Sequence, residues 1–114
     1  MEQISIEQRD ILLLPFPFSD QTSKKVRPAL VASNNLFNSN SNDIIVCGIT
    51  SNISKDFYTI NIVDSSLEFN NIKDDCCIKV ENILKIDKRL VIKKLDKLKK
   101  DEFVKVKEII SKIF

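Results

Sequence analysis

The runs and alternations of apolar positions divide the chain into short extended pieces followed by one helical piece. Residues 11–14 form an unbroken apolar run, the pattern of a strand covered on both faces. The run stops at Pro15-Phe16-Pro17-Phe18, where two prolines withdraw ladder donors and predict an edge or an extended exit. Residues 19–26 are polar, carry Asp20, Lys24 and Lys25, and predict an exposed loop. Arg27-Pro28 then opens a second strand over 29–32, the proline holding Arg27 extended. Residues 33–42 are rich in Asn and Ser. Their one apolar pair, Leu36-Phe37, predicts a single helical turn with Phe37 pinning the loop to the core. A third strand covers 44–49 and ends at Thr50-Ser51. From 57 to 63 the pattern alternates, with Tyr58, Ile60 and Ile62 on one side, as in a half-buried antiparallel strand.

Residues 64–75 are polar, with Leu67, Phe69 and Ile72 as anchors. Residues 76–80 predict another strand, and 83–86 a further short strand or a turn; 91–95 fits neither period. The end of the chain is helical. Asp101 and Glu102 place negative charge where a helix dipole favours it. Phe103, Val106, Ile109, Ile110 and Ile113 follow at helical spacing, with Lys105, Lys107 and Lys112 between them. Several short strands and one terminal amphipathic helix predict a mainly β (α+β) domain over 1–114: a small, strongly curved antiparallel β-barrel with a C-terminal α-helix packed on it.

Composition narrows the function. A chain of 114 residues is the length of one domain. Its net charge of +2 lacks the basic excess of a duplex-DNA binder, yet suffices for a short single strand if the cations share one face. There is no histidine, which removes the commonest general base and the commonest metal ligand. The Cys and carboxylate spacing suggests no zinc site either, so neither metal nor cofactor is expected. The three cysteines, Cys47, Cys76 and Cys77, are odd in number and lack framework spacing. An adjacent pair closes a disulfide only with strain, so these read as buried thiols of a reducing compartment. The first ten residues are polar, and no apolar run approaches the ~20 residues that span a bilayer. A cytoplasmic protein with no membrane partner is expected.

Four segments in order resemble the MazF/PemK toxins of bacterial toxin–antitoxin pairs. They are 10–20 (DILLLPFPFSD), 26–31 (VRPALV), 44–51 (IIVCGITS) and 77–90 (CIKVENILKIDKRL), and the closing helix also agrees. The resemblance spans almost the whole chain. It implies a homodimer of SH3-like barrels that cuts single-stranded RNA without metal, leaves a cyclic phosphate and a 5′-hydroxyl, and is blocked by a cognate antitoxin. Arg27 and Thr50 match the family's catalytic arginine and threonine. The chain departs from the pattern in three places. Arg9 stands where the family commonly has glycine, residues 19–26 hold no histidine, and Lys79 and Glu81 replace an Arg-x-Asp pair.

Metal-free RNA cleavage needs a base for the 2′ proton, charge compensation at the phosphoryl oxygens, and a proton for the leaving 5′ oxygen. Arg27 suits the second task, its planar fork offering two parallel donors, and Thr50 adds a hydroxyl. Glu81 is the candidate base; Lys79, or Arg27 in a second role, is the candidate acid. Ser19, Lys24, Lys25, Ser51 and Lys79 are candidate RNA contacts. Phe16 and Phe18 are candidate stacking platforms, with a core or dimer contact as the other reading. Two competing functions are a non-catalytic RNA-binding module and a gyrase poison of the CcdB type. The second has a tryptophan near its C-terminus, and this chain has none.

Overall fold

The computed structural model describes residues 5–16 and 25–114, and of Phe16 and Lys25 the backbone only. Six strands form one sheet: β1 (Asp10–Phe16), β2 (Lys25–Val31), β3 (Asp43–Thr50), β4 (Thr59–Ile62), β5 (Cys76–Asp87) and β6 (Lys93–Lys97). They lie in the order β4-β5-β3-β2-β1-β6, every pair antiparallel. A short helix α1 (Asn35–Asn40) joins β2 to β3, and α2 (Lys100–Ile113) closes the chain.

The sheet curls until its ends meet. Leu67, just past β4, bridges Leu98, just past β6. Glu68 N–H donates to the Lys97 carbonyl at 2.8 Å and Lys99 N–H to the Ser66 carbonyl at 2.9 Å. These bonds satisfy backbone groups that two open edges would leave bare. The result is the small curled antiparallel barrel with a terminal helix that the hydrophobic pattern predicts.

Alternation along the strands sends side chains to two apolar clusters. Ile11, Leu30, Cys47, Ile49, Ile60, Ile78, Val80 and Leu98 fill one, which α2 covers with Phe103 and Val106. Leu12, Leu14, Ala29, Val31, Ile44, Val46 and Ile86 fill the other. The run 11–14 is apolar throughout because both faces of β1 are covered.

Several elements differ from the pattern's prediction. Lys25, Val26, Arg27 and Pro28 lie inside β2, not in a loop or at a strand entrance. Residues 76–80 and 83–86 belong to one twelve-residue strand. In it residues 80–82 bulge, since Lys79 pairs with Gly48 and the next pair is Ile83 with Cys47. The ambiguous 91–95 contributes to β6. Phe37 is half-buried and outside both clusters; the buried member of α1 is Asn38. Its amide donates to the Ser33 carbonyl at 2.9 Å and its oxygen accepts the Ser33 hydroxyl. Phe69 is exposed, because its backbone is the anchor and its ring is not. The buried Asp96 carboxylate accepts the N–H groups of Phe69 at 3.0 Å, Asn71 at 2.7 Å and Lys97 at 2.7 Å.

Arg9 has φ of 80°, the left-handed region that favours glycine. Its backbone sits there to donate to Val31 O at 3.0 Å and accept from Leu98 N at 2.8 Å. The side chain adds a guanidinium bond to Leu98 O at 2.8 Å and an ion pair with Glu68 at 3.4 Å. Arg9→Gly relieves the backbone and loses the side-chain bonds, two effects of about 1 kcal/mol and opposite sign. Arg9→Ala loses the bonds and keeps the strain. Urea unfolding should therefore place Arg9→Gly within about 1 kcal/mol of the parent and Arg9→Ala clearly below both. Equal losses would contradict this account of the turn.

Candidate active site

The register across three strands sets the site. Ala29 pairs with Gly48 and Gly48 with Lys79. Carrying that register two residues on sets Arg27 opposite Thr50, and Thr50 pairs with Cys77. Leu14, Arg27, Thr50, Cys77 and Asn61 thus form one row across five strands, pointing to the same face. The β2–β3 ladder ends at the Ala29–Gly48 pair, next to Pro28, which has no N–H to donate, while β2 stays paired with β1 as far as Lys25. Arg27 and Thr50 are both half-buried.

The turn after Thr50 is held at both of its polar groups. Asn52 N–H donates to Thr50 Oγ1 at 3.1 Å, and the Cys77 thiol lies 3.8 Å from the Asn52 carbonyl. A hydroxyl that already accepts from a backbone N–H still has its own proton to donate. The geometry therefore leaves Thr50 as a donor in the cleft that Arg27 also lines.

Lys79 occupies the next row, opposite the backbone of the chain's single glycine, Gly48. Its ammonium donates to Ser54 Oγ at 3.1 Å and lies 3.4 Å from Asp56 and 3.5 Å from Glu81. Asp56 also accepts from the Thr59 hydroxyl at 2.8 Å and Tyr58 N–H at 2.9 Å. This network ties residues 54–59 to β5. The Thr59 hydroxyl, Tyr58 N–H and the Lys79 cation hold the Asp56 carboxyl below the usual carboxylate range. Partial desolvation opposes the charge on Lys79, but Glu81 and Asp56 outweigh it and raise the ammonium above its ordinary value.

Glu81 is exposed on the bulge of β5. It lies four residues beyond Cys77, roughly 13 Å of regular strand, a span the bulge shortens. Lys79 stands between it and the Arg27–Thr50 row. Ser51 follows the end of β3 and is exposed. Lys25 begins β2 by its backbone. Ser19, Lys24 and Phe18 lie outside the described residues, as does the side chain of Phe16. Ser54 and Asp56 escaped the sequence pattern: short polar residues in a loop carry no periodic signal, and only the partner strand gives them meaning.

A cleft of about 350 Å³ opens at this end of the sheet; Arg27, Thr50 and Ser51 line it together with Val26, Pro28, Ile49, Ile72, Asp74 and Asp75. Burial pushes the Cys47 thiol up to about 12 and, with its acidic neighbours, the Cys76 thiol up to about 11. Thiols so protonated are poor nucleophiles.

The Asp56 network has a pH signature. A carboxyl held low in the folded state adds stability at neutral pH and loses it as pH falls through the folded value. The protection of the Tyr58 amide against hydrogen exchange, taken relative to its intrinsic rate at each pH, should therefore be high at pH 7 and fall on acidification below the ordinary carboxylate range. Asp56→Asn should exchange fast at pH 7 already, with no acid step. An unchanged rate in that variant would refute the tie.

The likeness to known proteins is one of fold and family. No curated protein matches the chain in sequence. A chain of the MazE–MazF complex of Deinococcus radiodurans superposes with a TM-score of 0.78 at 16% identity, over 96% of each chain. A mycobacterial endoribonuclease in complex with its cognate antitoxin gives 0.77 at 13% identity, over 94% of this chain and 92% of that one. The Mycobacterium tuberculosis toxin MazF-mt6 gives 0.74 at 16%, over 91% and 94%. The family described as PemK-like, MazF-like toxin of type II toxin–antitoxin system matches residues 7–114, and the chain belongs to that family.

Proposed function

We propose that this chain is a sequence-selective endoribonuclease toxin. It cuts single-stranded RNA without metal and is held in check by a cognate antitoxin. The observation that carries the reading is the Arg27–Thr50 row, a guanidinium and an oriented hydroxyl brought to one face of the sheet. Membership of the toxin family supports it, and the neighbours named as endoribonucleases or antitoxin complexes agree with it.

In this proposal Arg27 and Thr50 hold the non-bridging oxygens of the scissile phosphate. The 2′-oxygen attacks phosphorus as the bond to the 5′-oxygen breaks, which yields a cyclic phosphate and a 5′-hydroxyl. Glu81 takes the 2′ proton. Lys79, or Arg27 itself, supplies the proton that the 5′-oxygen gains. Lys79 also keeps residues 54–59 against β5, so its loss acts on shape as well as charge. Ser51 and Lys25 flank the row, and with Ser19 and Lys24 they are the proposed contacts to neighbouring nucleotides. A cytoplasmic homodimer is the proposed acting form; no helix among the described residues is long and apolar enough to cross a membrane.

Purified protein should cut a long single-stranded RNA in excess EDTA. Arg27→Ala and Thr50→Ala should each lower the rate about 10²–10³-fold while the folded state persists by circular dichroism. Full activity in either variant would remove that residue from the phosphate site. Glu81→Gln separates the base from the donors: it removes the proton acceptor and leaves Arg27 and Thr50 in place, and should lower the rate about 10²–10⁴-fold with the fold intact. If the rate is unchanged, the base is another group.

A further inference from the structure

The cleft has two chemically unlike sides, and Arg27, Thr50 and Ser51 line only one of them. Strand alternation turns Val26, Pro28 and Ile49 away from the face that carries Arg27 and Thr50; Ile49 is buried in the core there and Val26 stays exposed at its edge. With Ile72 they give the cleft an apolar floor. Its rim carries Asp74 and Asp75, both exposed, and neither carboxylate has a hydrogen bond or ion pair among the described residues. Phosphate is repelled by that rim. An apolar floor under acceptor-only groups suits a flat ring whose edge donates. The volume of about 350 Å³ has room for one nucleobase and not for a duplex.

On the reading of the chain as an RNA-cutting enzyme, we infer that this cleft is a specificity subsite. It takes one unpaired base next to the cut and selects bases that bear an exocyclic amino group. Guanine fits best, because its N1–H and N2–H₂ are parallel donors matched to one carboxylate. Cytosine and adenine offer one amino group each, and acidic side chains accept from the cytosine amine. Uracil is rejected, since its single N–H lies between two carbonyl oxygens that face the carboxylates. The strand path then sorts itself electrostatically: phosphate goes to the Arg27–Thr50 side of the cleft and the base, past the sheet end, to its acidic side.

The test compares the parent with Asp74→Asn/Asp75→Asn, a pair of isosteric changes outside the strands. Cut ends from total RNA are sequenced, and binding of uncleavable 2′-O-methyl hexamers, guanine-containing or all-uracil, is measured beside them. The parent should show an amino-bearing base at one position flanking the cut and bind the guanine hexamer about tenfold tighter. The double variant should lose both preferences, because the Asn amides donate to uracil carbonyls. A parent that tolerates uracil at both flanking positions, or a variant with an unchanged profile, overturns the subsite while leaving the ribonuclease reading intact. A parent that cuts nothing but still prefers the guanine hexamer, with the preference lost in the variant, supports the subsite and overturns the ribonuclease reading. No cutting and no preference overturns both.

Discussion

The arrangement of the site depends on the register of β3. This strand pairs with β2 on one side and β5 on the other, and both pairings are counted from Gly48. A slip of one residue would send Thr50 to the opposite face and bring Ile49 into the row with Arg27. Two features hold the register. The bulge at residues 80–82 absorbs the extra length of β5, so that Thr50 meets Cys77 and Asp43 meets Asp87 at the two ends of one strand. Ile44 and Val46 fill one apolar cluster and Cys47 and Ile49 the other, so a slip would exchange the two sets and spoil the packing of both.

Around that register the molecule ties its loops with charged groups and leaves its apolar groups to the core. Asp96 gathers three backbone N–H groups, and Asp56 joins a backbone amide to a lysine. Asp10, buried in β1, accepts Glu7 N–H at 2.8 Å and faces the Lys94 ammonium at 3.1 Å. These are the compact acceptors that short irregular segments need, because a loop has no ladder of its own. The same device brings residues 54–59 up to β5 one row from Thr50, so loop placement and site shape share one network.

Much of the barrel could be read from the sequence because its physical signal is local. The run 11–14, the alternation at Ile60 and Ile62, and the helical stripe from Phe103 each report a periodicity. What escaped needed a partner to explain it. Glu81 and Asn82 look like a strand end until β3 shows that they bulge out of a continuous ladder. Pro28 looks like a strand boundary, yet it sits inside β2 where the missing N–H costs little. Phe69 looks like a core anchor, yet its backbone does the anchoring. The pairing of Arg27 with Thr50 was available only as a resemblance, because the two are 23 residues apart in sequence and no period links them.

The central claim is that Arg27 and Thr50 act together on one phosphate. A double-mutant cycle on the cleavage rate in EDTA tests it most directly: parent, Arg27→Ala, Thr50→Ala and the pair. Two donors serving one transition state are strongly coupled, so the double variant should be little slower than the worse single variant. If the two losses multiply as for independent sites, the residues do not share a phosphate and the account of the row is wrong.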